Sequence, residues 1–165
     1  MRSAVLHEKD GFTLAAIERH GLRGYSPDLS IKPADVLSVL EAFRLRPRFV
    51  ENDVDAFKAT QDLIDNGIAK IGRPYTCDLF FAAEREYWMK RNRAARAQKS
   101  RQDRRGIGWA NHDHHTYRSS REAFPMLVSV FEKLGFHCRE RFYAGLEAGW
   151  GAQVMEEPVT GIITF

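Results

Sequence analysis

The feature that most constrains the fold of this chain is a change of sequence pattern at residues 106–108, Gly-Ile-Gly. Before this point, apolar residues recur at helical spacing in stretches that end at glycine or proline. After it, short stretches of alternating apolar and polar residues are separated by glycines, as is typical of strands. We therefore predict an α+β protein, with a helical region over residues 1–105 and a mainly β region over residues 106–165.

The front region predicts three main helices. The first should begin at Pro33, which suits a first helical turn, and end near Leu45. The second should cover residues 52–72 and end before Arg73 and Pro74. The third is expected to begin with Thr76 as its capping residue and to become strongly basic toward residue 105. A short helix is also expected over residues 12–19.

The back region predicts the order β-α-β-β-β. One amphipathic helix lies between a first strand and three later strands, and the predicted segments are strand 109–118, helix 124–134, and strands 136–143, 150–156 and 161–165. The last strand reaches residue 165 without a closing turn. We therefore expect either a chain that stops early or a sheet edge that needs a partner.

The composition indicates a folded protein, because 44% of the residues are hydrophobic and 12% are aromatic. A chain of 165 residues is long enough for one domain with a proper core. We expect no membrane segment, because no apolar run would span a bilayer, and the N-terminus becomes charged too soon for a signal peptide. Cys77 and Cys138 lack metal-type spacing, so we expect free thiols and a cytoplasmic protein.

The predicted first strand contains three of the six histidines of the chain. In an extended strand, side chains two residues apart share a face, so His112 and His114 would point one way and His115 the other. Two neutral imidazoles on one face can bind a metal, but two ligands do not complete a site. A polar strand with ordinary histidines is the competing interpretation, and His115 is expected to pack rather than to bind.

This strand also carries a family resemblance. Residues 113–118, Asp-His-His-Thr-Tyr-Arg, resemble the D-H-x-x-aromatic-R strand of proteins like 2-oxoadipate dioxygenase/decarboxylase, a branch of the vicinal oxygen chelate superfamily of glyoxalases and extradiol dioxygenases. The helix exit at residues 132–136, Glu-Lys-Leu-Gly-Phe, is similar to that branch as well. The resemblance covers residues 107–165 and implies a single glyoxalase-like β-α-β-β-β module.

The resemblance implies a metal-dependent enzyme, a dioxygenase, decarboxylase or lyase, that acts on a small 2-oxo or hydroxy acid. His114 would be the first ligand of a site with two histidines and one carboxylate, and His112 is the reserve candidate. The metal would be divalent, with Fe(II) expected first and Mn, Ni or Zn as alternatives. Arg118 would be the catalytic arginine that holds the substrate carboxylate, and Tyr117 would also contact the substrate.

The chain departs from the family pattern because the second histidine and the carboxylate would follow this first module. Glu147, Gln153, Glu156 and Glu157 could replace a ligand, and no spacing selects one of them. A second subunit, as in a homodimer, or a missing second module would have to complete the site. A non-catalytic module that binds a small ligand through the same fold remains open as an alternative.

A basic segment over residues 90–105 suggests a different function. It contributes to a net charge of +3 and a sequence pI near 9.0. Arg93, Arg96 and Lys99 could contact the phosphates of a nucleic acid. However, the charges are not confined to one helix face, and no helix-turn-helix or zinc-finger spacing is present. A solvated linker helix is therefore the favoured interpretation, and nucleic-acid binding is the alternative.

Overall fold

The computed structural model describes residues 2–18, 25–48, 50–105 and 114–165, and at residues 2, 3, 17, 18 and 114 it describes the backbone alone. Five helices and two small sheets lie within these ranges. The prediction of a protein that mixes helices with strands is confirmed. No helix of the described part is both long and apolar enough for a membrane span.

The chain begins with a β-hairpin, formed by strands β1 (Arg2–Lys9) and β2 (Phe12–Glu18). The helix predicted over residues 12–19 is therefore wrong, because residues 12–18 are strand. The reason is the turn between the strands, where Asp10 and Gly11 have φ angles of 51° and 78°. A two-residue turn with two positive φ angles matches the twist of paired strands, and Asp-Gly is one of the sequences that best adopt it.

The first two helices follow the prediction closely. Helix α1 spans Pro33–Leu45, with the proline in its first turn. Helix α2 spans Asp53–Ile71, and the side chain of Asn52 caps it by accepting hydrogen bonds from the backbone N–H groups of the next turn. A side-chain cap satisfies donors that have no partner within the helix, so it fixes the point at which the helix begins.

The predicted third helix is two helices, α3 (Arg73–Arg91) and α4 (Arg93–Asp103). Asn92 separates them with an extended backbone and caps α4 through its side chain. The prediction that Thr76 caps α3 is wrong. The helix begins three residues earlier, after Gly72, with a proline in its first turn. Thr76 is buried in the helix, and its hydroxyl donates to the Gly72 carbonyl at 2.7 Å.

The hydrophobic core is assembled around α3. Phe81 is fully buried, and its ring centroid lies 5.4 Å from that of Phe80 and 5.6 Å from that of Phe136. The core cluster takes further side chains from α1 and α2, and from the helix and two strands described next. Aromatic rings packed edge to face at such distances stabilise the folded state beyond the area that they bury.

The second sheet has four strands, β3 (His114–His115), β4 (His137–Tyr143), β5 (Gly151–Glu157) and β6 (Ile162–Thr164), in the spatial order β3-β6-β5-β4. Helix α5 (Phe124–Leu134) lies between β3 and β4 in the sequence. Strand β6 runs parallel to β3, and the other neighbouring pairs are antiparallel. Gly135 ends α5 with a φ of 104°, as is common for helix C-termini.

One expectation about this sheet is wrong. Strand β6 is not an edge; it lies between β3 and β5, and the edges among the described strands are β3 and β4. Every residue of β4 is exposed, Cys138 and Phe142 among them. An edge strand has a neighbour on one side alone, so alternation in its sequence does not guarantee that either face is covered.

Candidate functional site

The strand that carries the predicted metal ligand is held by the last strand of the sheet. His114 pairs with Ile163, and His115 pairs with Thr164. The ladder continues beyond the assigned strand, because the Tyr117 N–H donates to the Phe165 carbonyl at 2.9 Å and the Phe165 N–H donates to the His115 carbonyl at 2.9 Å. The backbone of this segment is therefore fixed relative to β6. His112 lies outside the described residues.

The side chain of His115 packs against the core, as expected. Its ring centroid lies 4.8 Å from that of Phe81, and the residue is half-buried. His115 also interacts with other groups of the chain. The rings fix this strand against α3, so His115 has a structural role in the described part of the chain.

Of the four residues that could replace a metal ligand, three already bind other groups of the chain and one is exposed in a turn. Glu156 is buried and forms an ion pair with Arg139 at 3.1 Å. Glu157 accepts hydrogen bonds from the N–H and the hydroxyl of Thr160, both at 2.6 Å. Gln153 donates to two backbone carbonyls at 2.9 Å. Glu147 lies exposed in the turn before β5.

The described residues alone do not fit a complete metal site. The residue that pairs with His114 is Ile163, which has no atom that could bind a metal. Across the described ranges, no group of three side chains from histidine, cysteine, aspartate and glutamate lies in an arrangement that could hold a metal ion. The side chains of His112 and His114 both lie outside the described part of the chain, so this absence does not extend to a site that includes either of them.

Tyr117 and Arg118 are not brought together. Arg118 is exposed, whereas the ring centroid of Tyr117 lies 5.0 Å from that of Phe131 in the core. Burial raises the pKa of the Tyr117 hydroxyl far above its ordinary value, and the charge of Glu84 raises it further. The charges of Arg46, Arg85 and Arg48 act on the same hydroxyl in the opposite direction. Tyr117 therefore remains a neutral hydrogen-bond donor, and it lies close to several arginines.

Two of those arginines, Arg46 and Arg48, form a buried group with Glu84. We call this group the arginine cluster. Arg46 Nη2 donates to Glu84 Oε1 at 2.6 Å. Arg48 donates to the same oxygen from Nη2 at 2.7 Å and from Nε at 3.2 Å. The side chains of Arg46, Arg48 and Glu84 are 15%, 6% and 5% exposed. Two guanidinium groups therefore share one carboxylate oxygen in a place that water barely reaches.

Aromatic rings hold the two guanidinium groups in position. The Arg46 Cζ atom lies 5.3 Å from the centroid of the Phe80 ring, and the Arg48 Cζ atom lies 3.9 Å from that of Tyr87. Both rings belong to α3, as does Glu84, whereas the arginines follow α1. Cation–π contacts of this kind fix the plane of a guanidinium and leave its N–H edge for hydrogen bonds.

A second buried polar group lies along α3. Burial raises the pKa of the Asp78 carboxyl, and the nearby charge of Arg85 acts against that shift. Burial also lowers the pKa of Arg85 and raises that of the Cys77 thiol well above its usual range. The Cys77 Sγ atom lies 3.9 Å from the Thr160 Oγ1 atom. A thiol of this kind stays protonated and is not a nucleophile at neutral pH.

Two of the three residues proposed for nucleic-acid contact are engaged by the chain itself. Arg96 Nη1 donates to the Met89 and Lys90 carbonyls at 2.9 and 3.3 Å, at the end of α3. Lys99 forms an ion pair with Asp103 one turn along α4. Arg93 is exposed. The Arg96 contacts link α4 to the end of α3, and the Lys99 pair supports the last turn of α4, so these two residues have structural contacts within the chain.

Comparison of the sequence with models of known protein families and with curated proteins gave no match, and comparison with solved structures gave none either. The family resemblance therefore remains a prediction that rests on the residues of the β3 strand and on the end of α5.

The sequence indicates the histidine strand but not the arginine cluster. Residues 44–48, Arg-Leu-Arg-Pro-Arg, were a signal of concentrated positive charge directly after a predicted helix. Nothing in the sequence, however, pairs Arg46 or Arg48 with a carboxylate 38 or 36 residues away. That pairing depends on how α1 packs against α3.

Proposed function

We propose that this chain is an enzyme of the vicinal oxygen chelate type that acts on a small 2-oxo or hydroxy acid. The observation that carries the proposal is the arrangement of residues 114–165. A strand that begins at His114 is followed by α5 and three strands, and the last strand returns to pair in parallel with the first. The resemblance of the β3 strand implies a glyoxalase-like β-α-β-β-β module, and this succession of elements supports the proposal.

Buried positive charge next to this strand supports a carboxylate-bearing substrate. Burial and the charge of Glu84 raise the pKa of the Tyr117 hydroxyl, three residues after His114, and the charges of Arg46, Arg85 and Arg48 act in the opposite direction. Carboxylates bind arginine side chains with good geometry, and the attraction is stronger where water is excluded. Buried arginine side chains of this kind would therefore suit a substrate that carries a carboxylate.

A divalent metal would supply a centre at which a 2-oxo acid can chelate, and the resemblance gives Fe(II) as the first expectation. Among the described residues, His114 is the position at which the resemblance implies a ligand. The remaining ligands would come from elsewhere in this chain or from a partner subunit. Because β3 is an edge strand among the described strands of its sheet, a second subunit could approach His114 from that side.

Metal analysis of the full chain, purified without chelator, tests this proposal. We expect a stoichiometric amount of Fe, Mn, Ni or Zn in the wild type and its loss in His114→Ala. His137→Ala is the matched control, because His137 is an exposed histidine on the opposite edge of the same sheet. A metal-free wild type would overturn the metal-dependent activity, and so would a metal that both variants retain.

A further inference from the structure

The positive charge of this protein is concentrated in residues 90–105, which cover the end of α3 and the whole of α4. This stretch has eight basic residues and one acidic residue, Asp103, whereas the whole chain has a net charge of +3. The rest of the chain is therefore net acidic. A concentration of one sign of charge attracts partners of the opposite sign, even where the total charge of the protein is small.

One side of α4 is partly covered by the protein. It carries Ala95 and Lys99, which are half-buried, and Gln102, which is 5% exposed. These residues follow one another at intervals of four and three, the spacing of a single helix face. Lys99 forms an ion pair with Asp103, so the acidic residue of this stretch is neutralised within α4.

The opposite side of α4 carries three exposed arginines, Arg93, Arg101 and Arg104. They occupy positions i, i+8 and i+11, which lie within about 80° of one another around a helix of 3.6 residues per turn. Ala97 and Ser100 lie between them on the same face and add neither charge nor bulk. Across the described part of the chain, no side chain forms a hydrogen bond or an ion pair with these three guanidinium groups.

This arrangement leaves the repulsion between the arginines unrelieved. Arg101 and Arg104 are neighbours at i and i+3, a spacing at which like charges destabilise a helix and an acidic residue would stabilise it. The backbone of Arg104 is still helical, with φ −62° and ψ −20°, so the spacing holds to the end of α4. The face therefore presents positive charge that a negatively charged partner would neutralise.

The composition of this face favours a nucleic acid over other anionic partners. The face has no large apolar side chain, whereas a helix on a membrane surface buries apolar side chains among the lipids. Protein interfaces are usually centred on buried aromatic or aliphatic side chains, which are also absent from this face of the described helix. A phosphate backbone needs only charge and hydrogen-bond donors, and arginine can donate two parallel hydrogen bonds to a phosphate.

The length of the face also suits a nucleic-acid duplex. The helix rises about 16 Å between Arg93 and Arg104, at 1.5 Å per residue. Over that distance a duplex presents about five phosphates on each strand. Three arginines spread along such a length can each contact a different phosphate.

We propose that the solvent-facing side of α4 binds the phosphate backbone of a DNA or RNA duplex through Arg93, Arg101 and Arg104. Contacts of this kind position a duplex and carry no information about its base sequence. The proposed enzyme activity neither requires this binding nor supports it. Of the residues that the sequence assigned to nucleic-acid contact, only Arg93 belongs to this face, because Arg96 and Lys99 are engaged within the chain.

Fluorescence anisotropy of the full chain with a short labelled DNA duplex, and with an RNA duplex of the same sequence, tests the proposal. Three phosphate contacts should make the affinity fall about 40-fold between about 50 and 200 mM salt, because each bound phosphate releases its condensed counterions. Binding of either duplex with this salt dependence supports the proposal. The two duplexes distinguish DNA from RNA as the source of the phosphates.

Arginine-to-glutamine variants locate the binding on α4, because glutamine removes the charge and has a similar helix propensity. Arg101→Gln and Arg104→Gln should each reduce the slope of log affinity against log salt by about one. The triple variant, which also has Arg93→Gln, should not bind either duplex. Arg141→Gln is the matched control, because Arg141 is an exposed arginine on β4 and its loss changes the net charge equally. Circular dichroism verifies that each variant keeps its helices.

The proposal is wrong if neither duplex binds, or if the triple variant binds as tightly as the wild type. An equal loss of affinity in Arg141→Gln would contradict it as well, because the net charge of the chain and not α4 would then attract the duplex. Vesicles that contain phosphatidylserine and the anionic polymer polyglutamate are the remaining probes. If either of them binds as tightly as the duplexes, the assignment to a nucleic acid is refuted.

Discussion

Glu84 is the residue on which the buried charge of this protein converges. It lies on α3 with a side chain that is 5% exposed, and it accepts three hydrogen bonds from two arginines on a single oxygen. The neighbouring Glu86 also binds two cations, Arg44 and Lys90, but it does so at the surface. The same chemical pairing therefore occurs twice on one helix, with different exposure.

Replacing Glu84 by glutamine should lower the free energy of unfolding by about 3–5 kcal/mol, because two buried guanidinium groups would lose the carboxylate charge that they share. Glu86→Gln is the matched control, and it should cost less than about 1 kcal/mol because water and salt screen an exposed pair. Urea denaturation of the three proteins at neutral pH measures both differences. Equal losses in the two variants would contradict the importance of burial.

At the scale of elements, Gly67 on α2 is a point of close contact with two other helices. A Cβ atom added there would lie 2.8 Å from the Cγ2 atom of Thr76 on α3 and 3.2 Å from the Cγ1 atom of Val39 on α1. The position of this glycine has a packing reason, because α2 could not lie this close to α1 and α3 with a larger residue.

Gly67→Ala should therefore destabilise the protein by about 1–3 kcal/mol, the cost of overpacking a tight core, although alanine is the better helix former. Thr76→Ser removes the Cγ2 atom that the new methyl group would meet first. The double variant should recover part of the lost stability, and a double-mutant cycle measured by urea denaturation gives the coupling. Strictly additive effects would show that the two residues do not meet.

At the scale of the whole molecule, the β1–β2 hairpin contributes little to the core. Its strands pair with each other, and residues 4–16 are exposed. Among the hairpin side chains that the structure describes, none belongs to the hydrophobic core cluster, which is built from the helices and from β5 and β6 with the residues around them. Because buried apolar area is the main source of folding free energy, the stability of the protein should reside in residues 25–165.

A variant without residues 1–24 should keep its free energy of unfolding to within about 1 kcal/mol, because the side chains of the described hairpin bury little apolar area. Ile64→Ala shows what the same measurement gives for a core residue: Ile64 is fully buried, and its truncation should cost about 2–5 kcal/mol. Thermal and urea unfolding compare the two variants. A comparable loss in the shortened chain would mean that the hairpin packs on the core in solution.

The sequence by itself determined much of the local structure. Pro33, Asn52 and Gly135 set helix ends through backbone geometry and capping, which depend on near neighbours alone. The glycine-separated stretches after residue 135 gave the strands β4, β5 and β6 for the same reason. The turn at Asp10 and Gly11 is also a local signal, and it decides for a hairpin over the helix expected at residues 12–19.

Only the tertiary structure decided which distant residues meet. The position of β6 between β3 and β5 and the pairing of Arg46 and Arg48 with Glu84 join segments that lie far apart in the chain. Such contacts depend on how helices and strands pack, and periodicity within one segment carries no information about them. The histidine strand could therefore be found in the sequence, whereas the charged cluster beside it required the fold.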